Sequence, residues 1–237
     1  MRGVILAGGT GSRLDPLTKT ANKHTLMVGG IPMIHHPLRV LLDNNINDVT
    51  IVSSPGGVRQ LHKLLGLGDD CDVKFTYCVQ DQPNGIAAAL REAQVGRLSS
   101  DREPIAVVLG DNVFLPSPII NTDIHLDSCR VFLAKVSNPV EFGVPEFNAG
   151  GQIVRVVEKP ETPLSEYVVT GLYVFGASVF ERLRYLLPSR RGELEITDLL
   201  NEYILGSGTI IEGFWGDAGT PQGLLDCSLA YEKWVNK

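Results

Sequence analysis

The sequence predicts an α/β fold: a mixed, mostly parallel central sheet covered by helices on both faces, in a three-layer, Rossmann-like arrangement. Three observations lead there. Short apolar runs at Arg2 to Leu6, Asp48 to Ser53 and Ile105 to Leu109 read as buried strands. Helix-like segments alternate with them, which is the rhythm of a parallel sheet. Glycine or Asp-Asn turns follow the first and third runs, at the strand ends where open α/β sheets bind ligands.

Taken in order, Arg2 to Leu6 opens the chain as a strand, and Pro32 to Asn44 reads as a helix with Pro32 early in it. Leu38, Leu41 and Leu42 form its apolar stripe, and His35 and His36 read as structural or interface residues. Asp48 to Ser53 is a strand, Gly57 to Leu65 a helix, and Val73 to Val79 alternates like a strand after an exposed turn at Asp69-Asp70. Gly85 to Gln94 is Ala-rich and helical. Ile105 to Leu109 ends at Gly110-Asp111-Asn112. In the second half, Cys129 to Val136, Gln152 to Glu158, Val168 to Phe175 and Thr209 to Trp215 read as strands. Ser178 to Leu187, Glu195 to Leu205 and Thr220 to Val235 read as helices. The expectation is one domain over 1–237, in two parts that divide near residue 115, the second more elaborate.

At 237 residues the chain can bury a substantial core. A formal net charge of -6 argues against wide nucleic-acid contact, which needs a basic face. Cys71, Cys78, Cys129 and Cys227 show no CxxC spacing, so a reducing cytoplasmic setting is expected. Val4 to Ala7 is too short for a signal-peptide core, and no apolar run approaches membrane-spanning length.

The stretch Ala7-Gly8-Gly9-Thr10-Gly11-Ser12-Arg13-Leu14 carries the chemistry. A strand that falls into a glycine turn offers backbone N–H groups to a phosphate. The dinucleotide fingerprint fails, because Leu14 stands where its third glycine belongs and Ile31 to Pro37 lacks the ribose-binding acid. The P-loop pattern also fails at Arg13. Another kind of NTP cradle and a plain turn remain open. Lys23 follows closely enough to fold back on the loop, and with Arg13 it supplies charge suited to a triphosphate.

These residues, with Pro16 and Thr18, resemble the sugar-phosphate nucleotidylyltransferases, and within them the thymidylyltransferase branch in its short form. The resemblance continues in order through Val79-Gln80-Asp81, Leu109-Gly110-Asp111-Asn112, Phe142-Gly143-Val144 and Glu158-Lys159-Pro160. It ends with Val169-Thr170-Gly171-Leu172-Tyr173, Arg191 to Asp198 (RGELEITD), and Trp215 to Thr220 (WGDAGT). It implies transfer of a nucleotidyl group from dTTP, or UTP, to a sugar 1-phosphate, expected to be glucose 1-phosphate, with release of pyrophosphate. It also implies Arg13 and Lys23 as catalytic residues, and Leu6, Gly8, Gly9, Thr10, Gly11, Gln80 and Gly85 on the nucleotide. Gly143, Glu158, Lys159, Val169, Tyr173 and Arg191 fall on the sugar phosphate, and Asp111 and Asp217 on Mg²⁺. The implied protein is a cytoplasmic homo-oligomer with no nucleic-acid or membrane partner. A non-catalytic sugar-nucleotide-binding regulator is the competing reading, and the presence of Arg13, Lys23, Asp111 and Asp217 weighs against it.

Two departures carry expectations. Thr25, Met27 and Gly29-Gly30 interrupt the K-x-L-L-P-V pattern after Lys23, which predicts a looser backbone behind the lysine. Phe142 replaces a common tyrosine and removes a hydroxyl from the sugar side. The helices that long members carry after the closing helix, with their allosteric nucleotide site, are expected to be absent or altered.

Overall fold

The computed structural model describes residues 1–68, 72–94, 103–206 and 208–237. In chain order the strands are β1 (Arg2–Ala7), β2 (Met27–Val28), β3 (Ile31–Pro32), β4 (Asp48–Ser53), β5 (Lys74–Val79), β6 (Ile105–Leu109) and β7 (Asn112–Leu115). They continue with β8 (Cys129–Lys135), β9 (Gly143–Phe147), β10 (Ile153–Glu158), β11 (Tyr167–Phe175), β12 (Thr209–Ile210) and β13 (Phe214–Asp217). The helices are α1 (His35–Asp43), α2 (Pro55–Leu65), α3 (Ile86–Glu92), α4 (Val179–Leu183), α5 (Ile196–Asn201) and α6 (Pro221–Val235). Seven strands hydrogen-bond in the order β12-β8-β11-β6-β1-β4-β5. The pairs β1–β4, β4–β5 and β12–β8 are parallel and β11–β8 is antiparallel, so the sheet is mixed, as expected.

The chain divides into two compact units that interleave in sequence, with the boundary inside β6 after Val107. One comprises Arg2–Pro83, Val108–Ile120 and Glu212–Lys237. In it, β1 is buried from Gly3 to Ala7, which explains its unbroken apolar run. Helix α2 packs on β4 and β5. It starts at Pro55, where the ring's fixed φ suits the first turn and the Ser54 hydroxyl accepts the Gly57 N–H. Helix α6 packs on β13 and closes a core of Val28, Met33, Val113, Leu115, Ala218 and Cys227. The other unit comprises Asn84–Val107 and Asn121–Ile211. Its β9–β10 ladder lies beside α5 and β11, and α3 packs against α4 and α5.

Several elements differ from the sequence expectation. Pro32 lies in β3, paired with Met27 through the Gly29-Gly30 turn, and α1 begins at His35. Leu38, Val40 and Leu41 are buried on α1, while Leu42 is only half-buried. The helix expected over Ser178 to Leu187 stops at Leu183, leaving Tyr185 and Leu187 exposed. Thr209 to Trp215 is two strands, because Gly213 turns the chain at φ 88°. Strands β7 and β9 were not legible from periodicity. The turn at Asp69-Asp70 and Cys71 lie outside the described residues. Cys129 and Cys227 are unpaired, and both are buried, as is Cys78. Among the described residues no helix is long and apolar enough to cross a membrane.

Helix α6 fixes the end of β13, and its Thr220 hydroxyl accepts the Gly223 N–H at 3.0 Å. Thr220→Ala is expected to cost about 1 kcal/mol. Thermal unfolding should show a loss of roughly 2–4 °C, and an unchanged midpoint would contradict the cap's role.

Candidate active site

The first unit gathers one group of predicted residues. After β1 the chain turns at Gly11, whose φ of 73° and whose closeness to Thr18 and Lys23 both require glycine. A Cβ there would lie 2.8 Å from Thr18 Cγ2 and 3.0 Å from Lys23 Cβ. The Thr18 hydroxyl donates to the Gly11 carbonyl at 2.9 Å. The Leu14 N–H donates to the same carbonyl at 2.8 Å, and the buried Leu14 side chain anchors the turn. Gly9, Thr10 and Arg13 remain exposed, so the loop's tip is open to a ligand. Leu6 is buried and its carbonyl accepts the Gly110 N–H at 2.9 Å, which ties β1 to the residue before Asp111. The buried Gln80 places its amide oxygen where a Cβ on Gly8 would stand.

Two carboxylates from distant parts of the chain meet through the β7–β13 ladder. Asp217 pairs with Asn112 in an antiparallel register, and the Ala218 N–H donates to the Asp111 carbonyl at 2.8 Å. Gly219 marks the convergence. A Cβ on it would lie 2.8 Å from Asp217 Oδ1, 3.0 Å from Asp111 Oδ2 and 3.2 Å from Arg13 Nη2. The Gly219 N–H donates to Asp217 Oδ1 at 2.7 Å. Lys23 Nζ donates to Asp111 Oδ2, and both side chains are nearly buried. The same Nζ would lie 3.0 Å from a Cβ on Gly9, so the lysine joins the glycine loop to the carboxylates.

The electrostatics follow from this crowding. Burial, the largest effect, opposes ionisation of Asp111, but the charge of Lys23 and the hydrogen bonds from Lys23 and Asn112 outweigh it and hold the carboxyl below its usual range. Asp217 is pushed up to about 6, by burial first and by the charge of Asp111 second. Asn112 Nδ2 donates to Asp111 Oδ1 at 3.2 Å, and Trp215 Nε1 donates to Asn112 Oδ1 at 2.7 Å. Among the described residues no group of three or more His, Cys, Asp or Glu side chains could hold a metal. A carboxylate pair suits an ion such as Mg²⁺, which completes its shell with water and phosphate oxygens. The space in front of Gly219 that a Cβ would fill fits that chemistry.

The segment behind Lys23 is pinned, contrary to the looseness its sequence predicts. Asn22 Oδ1 accepts the His24 N–H at 2.9 Å and lies 2.8 Å from His24 Nδ1. The Thr25 hydroxyl donates to the Asn22 carbonyl at 2.8 Å, and the Asn22 N–H donates to Gln60 Oε1 at 2.7 Å. The N–H groups of Met33 and Ile34 return to Leu26 and His24. His24 is 1% exposed, with its ring against Gly110. Burial first, and Lys23 second, lower its pKa to about 3, so it is neutral at physiological pH. His24 and Asn22 support the site, and no spacing signal singled them out. His36 is structural, as expected: its ring lies 3.1 Å from the Val28 carbonyl oxygen and edge-on to Tyr231.

The second unit gathers the other group. Arg191 lies 3.7 Å from Glu158, 3.6 Å from Glu193 and 3.6 Å from Glu195. Burial and the charge of Glu195 raise the Glu158 pKa. Gly143 faces Thr197, Val156 and Glu158. Lys159 is exposed, at a φ of 44° that non-glycine residues rarely adopt, and its N–H donates to the Phe142 carbonyl at 3.0 Å. Val169 and Tyr173 are buried on β11, and the Tyr173 ring stacks on Phe175 at 6.0 Å. Gly85 sits in this unit at φ 114°, against the Leu194 backbone. The Ala87 N–H reaches the Leu194 carbonyl, and the Leu194 N–H reaches that of Asn84, so the RGELEITD loop is stitched to the Gly85 turn.

A mixed α/β sheet with a glycine loop, two basic side chains and a carboxylate pair is an arrangement whose charges suit nucleotide phosphates. The pattern of the nucleotidyl transferase family matches residues 2–234, and the chain belongs to that family. It is 37% identical to a glucose-1-phosphate thymidylyltransferase of Mycolicibacterium smegmatis, over 96% of this chain and 81% of that protein. It is 39% identical to one from Mycobacterium tuberculosis, with the same coverage. The structure of a candidate glucose-1-phosphate thymidylyltransferase from Bacillus anthracis superposes with a TM-score of 0.85 at 37% identity, covering 98% of this chain and 95% of that one. A UDP-glucose pyrophosphorylase shares the fold, with a TM-score of 0.78 at 24% identity and 98% of each chain covered.

The raised Asp217 pKa has a stability consequence. Between its unfolded value near pH 3.9 and its folded value of about 6, the native state holds the extra proton, so stability falls as pH rises through that window. Asp111 acts oppositely, and its contribution is already complete above its unfolded value. In metal-free protein, the melting temperature of Asp217→Asn relative to wild type should therefore rise from pH 4 to 6 and level off above roughly pH 7. A difference independent of pH would contradict the assignment.

Proposed function

We propose that this chain transfers a thymidylyl group from dTTP to glucose 1-phosphate, giving a dTDP-sugar and pyrophosphate. One observation carries the reading: Arg13, Asp111 and Asp217 converge at Gly219, with Lys23 linking Asp111 to the glycine loop. Its 37% and 39% identity to glucose-1-phosphate thymidylyltransferases supports the choice of substrates.

The sugar's phosphate oxygen attacks the α-phosphorus, a new P–O bond forms, and the bond to the β-phosphate oxygen breaks. The nucleophile is already anionic near neutral pH, so no general base is required. The residues must hold two anions in line and offset their charge. Arg13 steadies the departing pyrophosphate, and Lys23 the α-phosphate with its attacking partner. The N–H groups of Gly9 to Gly11 hold the triphosphate. Gln80 reads the base through an amide that both donates and accepts. Glu158 accepts from sugar hydroxyls, while Lys159 and Arg191 hold the sugar's phosphate. Asp111 and Asp217 hold Mg²⁺, which supplies charge neutralisation on the phosphates when bound. The unpaired Cys129 and Cys227 suit a reducing cytoplasm.

The test is pyrophosphate release from purified protein, with Mg²⁺ and four NTPs crossed against a panel of sugar 1-phosphates. Turnover should be greatest with dTTP and glucose 1-phosphate. Nucleotide binding without turnover for any pair would instead support a non-catalytic regulator. Asp111→Asn combined with Asp217→Asn should cut turnover by about 100-fold or more. Lys23 and a divalent cation also compete for Asp111 Oδ2. Without nucleotide, Lys23→Met should therefore bind Mn²⁺ about tenfold more tightly than wild type, read by electron paramagnetic resonance. Equal affinities would remove that competition.

A further inference from the structure

Arg191 is a half-exposed cation of the second unit, its side chain 47% accessible. A long, half-exposed arginine loses side-chain entropy when something holds it still. Three carboxylates approach it. The Glu193 side chain is 39% exposed and that of Glu158 is 26% exposed, but that of Glu195 is only 9% exposed. Glu195 is therefore the least screened of the three and the one most firmly fixed in place.

Glu195 also holds the loop on which Arg191 rides. Its Oε1 accepts the Ser189 hydroxyl at 3.0 Å. The Ser189 oxygen in turn accepts the Arg191 N–H at 3.2 Å. The Gly192 N–H donates to the Ser189 carbonyl at 2.9 Å and the Ser189 N–H to the Glu193 carbonyl at 2.8 Å, which closes the turn. One buried carboxylate thus restrains both the backbone and the guanidinium of Arg191.

We infer that Glu195, acting with Ser189, is the positioning residue that orients Arg191 toward the sugar's 1-phosphate; this rests on the reading of Arg191 as a phosphate holder. A second effect opposes it. A buried negative charge beside Arg191 repels a phosphate, and if that dominated, removing the charge would tighten binding. The two effects have opposite signs and can be separated by experiment.

The experiment is steady-state kinetics of Glu195→Gln with each substrate varied at saturation of the other. KM for the sugar 1-phosphate should rise about tenfold, while the triphosphate KM stays unchanged and kcat stays within about threefold. Glu195→Asp should recover part of the loss. In an Arg191→Ala background, Glu195→Gln should add less than about twofold. A KM that falls or stays constant, or a tenfold loss that persists without Arg191, overturns the inference. If Glu195→Gln fails to fold, Ser189→Ala gives the same reading, because it removes the hydroxyl that links Glu195 to the Arg191 N–H and leaves the carboxylate in place. Its sugar-phosphate KM should rise alone, and no rise overturns the inference. If Arg191→Ala by itself leaves that KM unchanged, the phosphate-holding role of Arg191 falls first.

Discussion

The first unit is organised by the burial of two carboxylates side by side. The β7–β13 register places Asp217 opposite Asn112 and so beside Asp111. Neither charge is tolerable there alone, because a buried carboxylate has lost its water and gained a like-charged neighbour. Lys23 relieves Asp111, and Asp217 keeps the residual strain as a raised pKa. Much of the surrounding architecture maintains that balance. Asn22 and the neutral His24 hold the backbone of Lys23, and Trp215 through Asn112 holds the second oxygen of Asp111. Gly219 leaves the space in front of the carboxylates open.

The second unit has the reverse arrangement. Here one guanidinium meets three carboxylates, and the pairs are graded in exposure rather than uniformly buried. Exposed ion pairs contribute little to stability, so the cluster is better understood as a means of fixing a side chain than as a structural staple. Its cost falls on Glu158, whose carboxyl is raised by burial and by Glu195.

How much of this was legible in the sequence depended on whether the signal was local. Strands β1, β4 and β6 are buried through most of their length, so their apolar runs were plain. Strand β9 carries Pro145, which argues against a strand on sequence grounds, yet it pairs with β10 in a two-stranded ribbon where a missing N–H is tolerated. The apolar pattern past Leu183 mimicked a longer helix, but Tyr185 and Leu187 face solvent and nothing packs the extra turn into place. Arg13, Lys23, Asp111 and Asp217 were legible as motif residues. The supports were not: Asn22 and His24 act through hydrogen bonds set by tertiary placement, and a buried neutral histidine has no sequence pattern of its own. The K-x-L-L-P-V departure misled for the same reason. It registered the loss of a stiffening proline and could not register that Thr25 bonds back to Asn22.

Both clusters share one property that bears on the proposed chemistry. Lys23 and Arg191 are paired with the protein's own carboxylates. Binding a phosphate therefore exchanges one anionic partner for another instead of satisfying a bare charge. Such exchanges give modest ground-state affinity, since the lost pair offsets most of the gained one. At Lys23, which is nearly buried, the pairing also keeps the cation ordered and desolvated before substrate arrives, the condition under which charge developing in the transition state is stabilised most strongly. Electrostatic energy placed this way goes into the transition state and little into the bound substrate, which raises turnover rather than affinity.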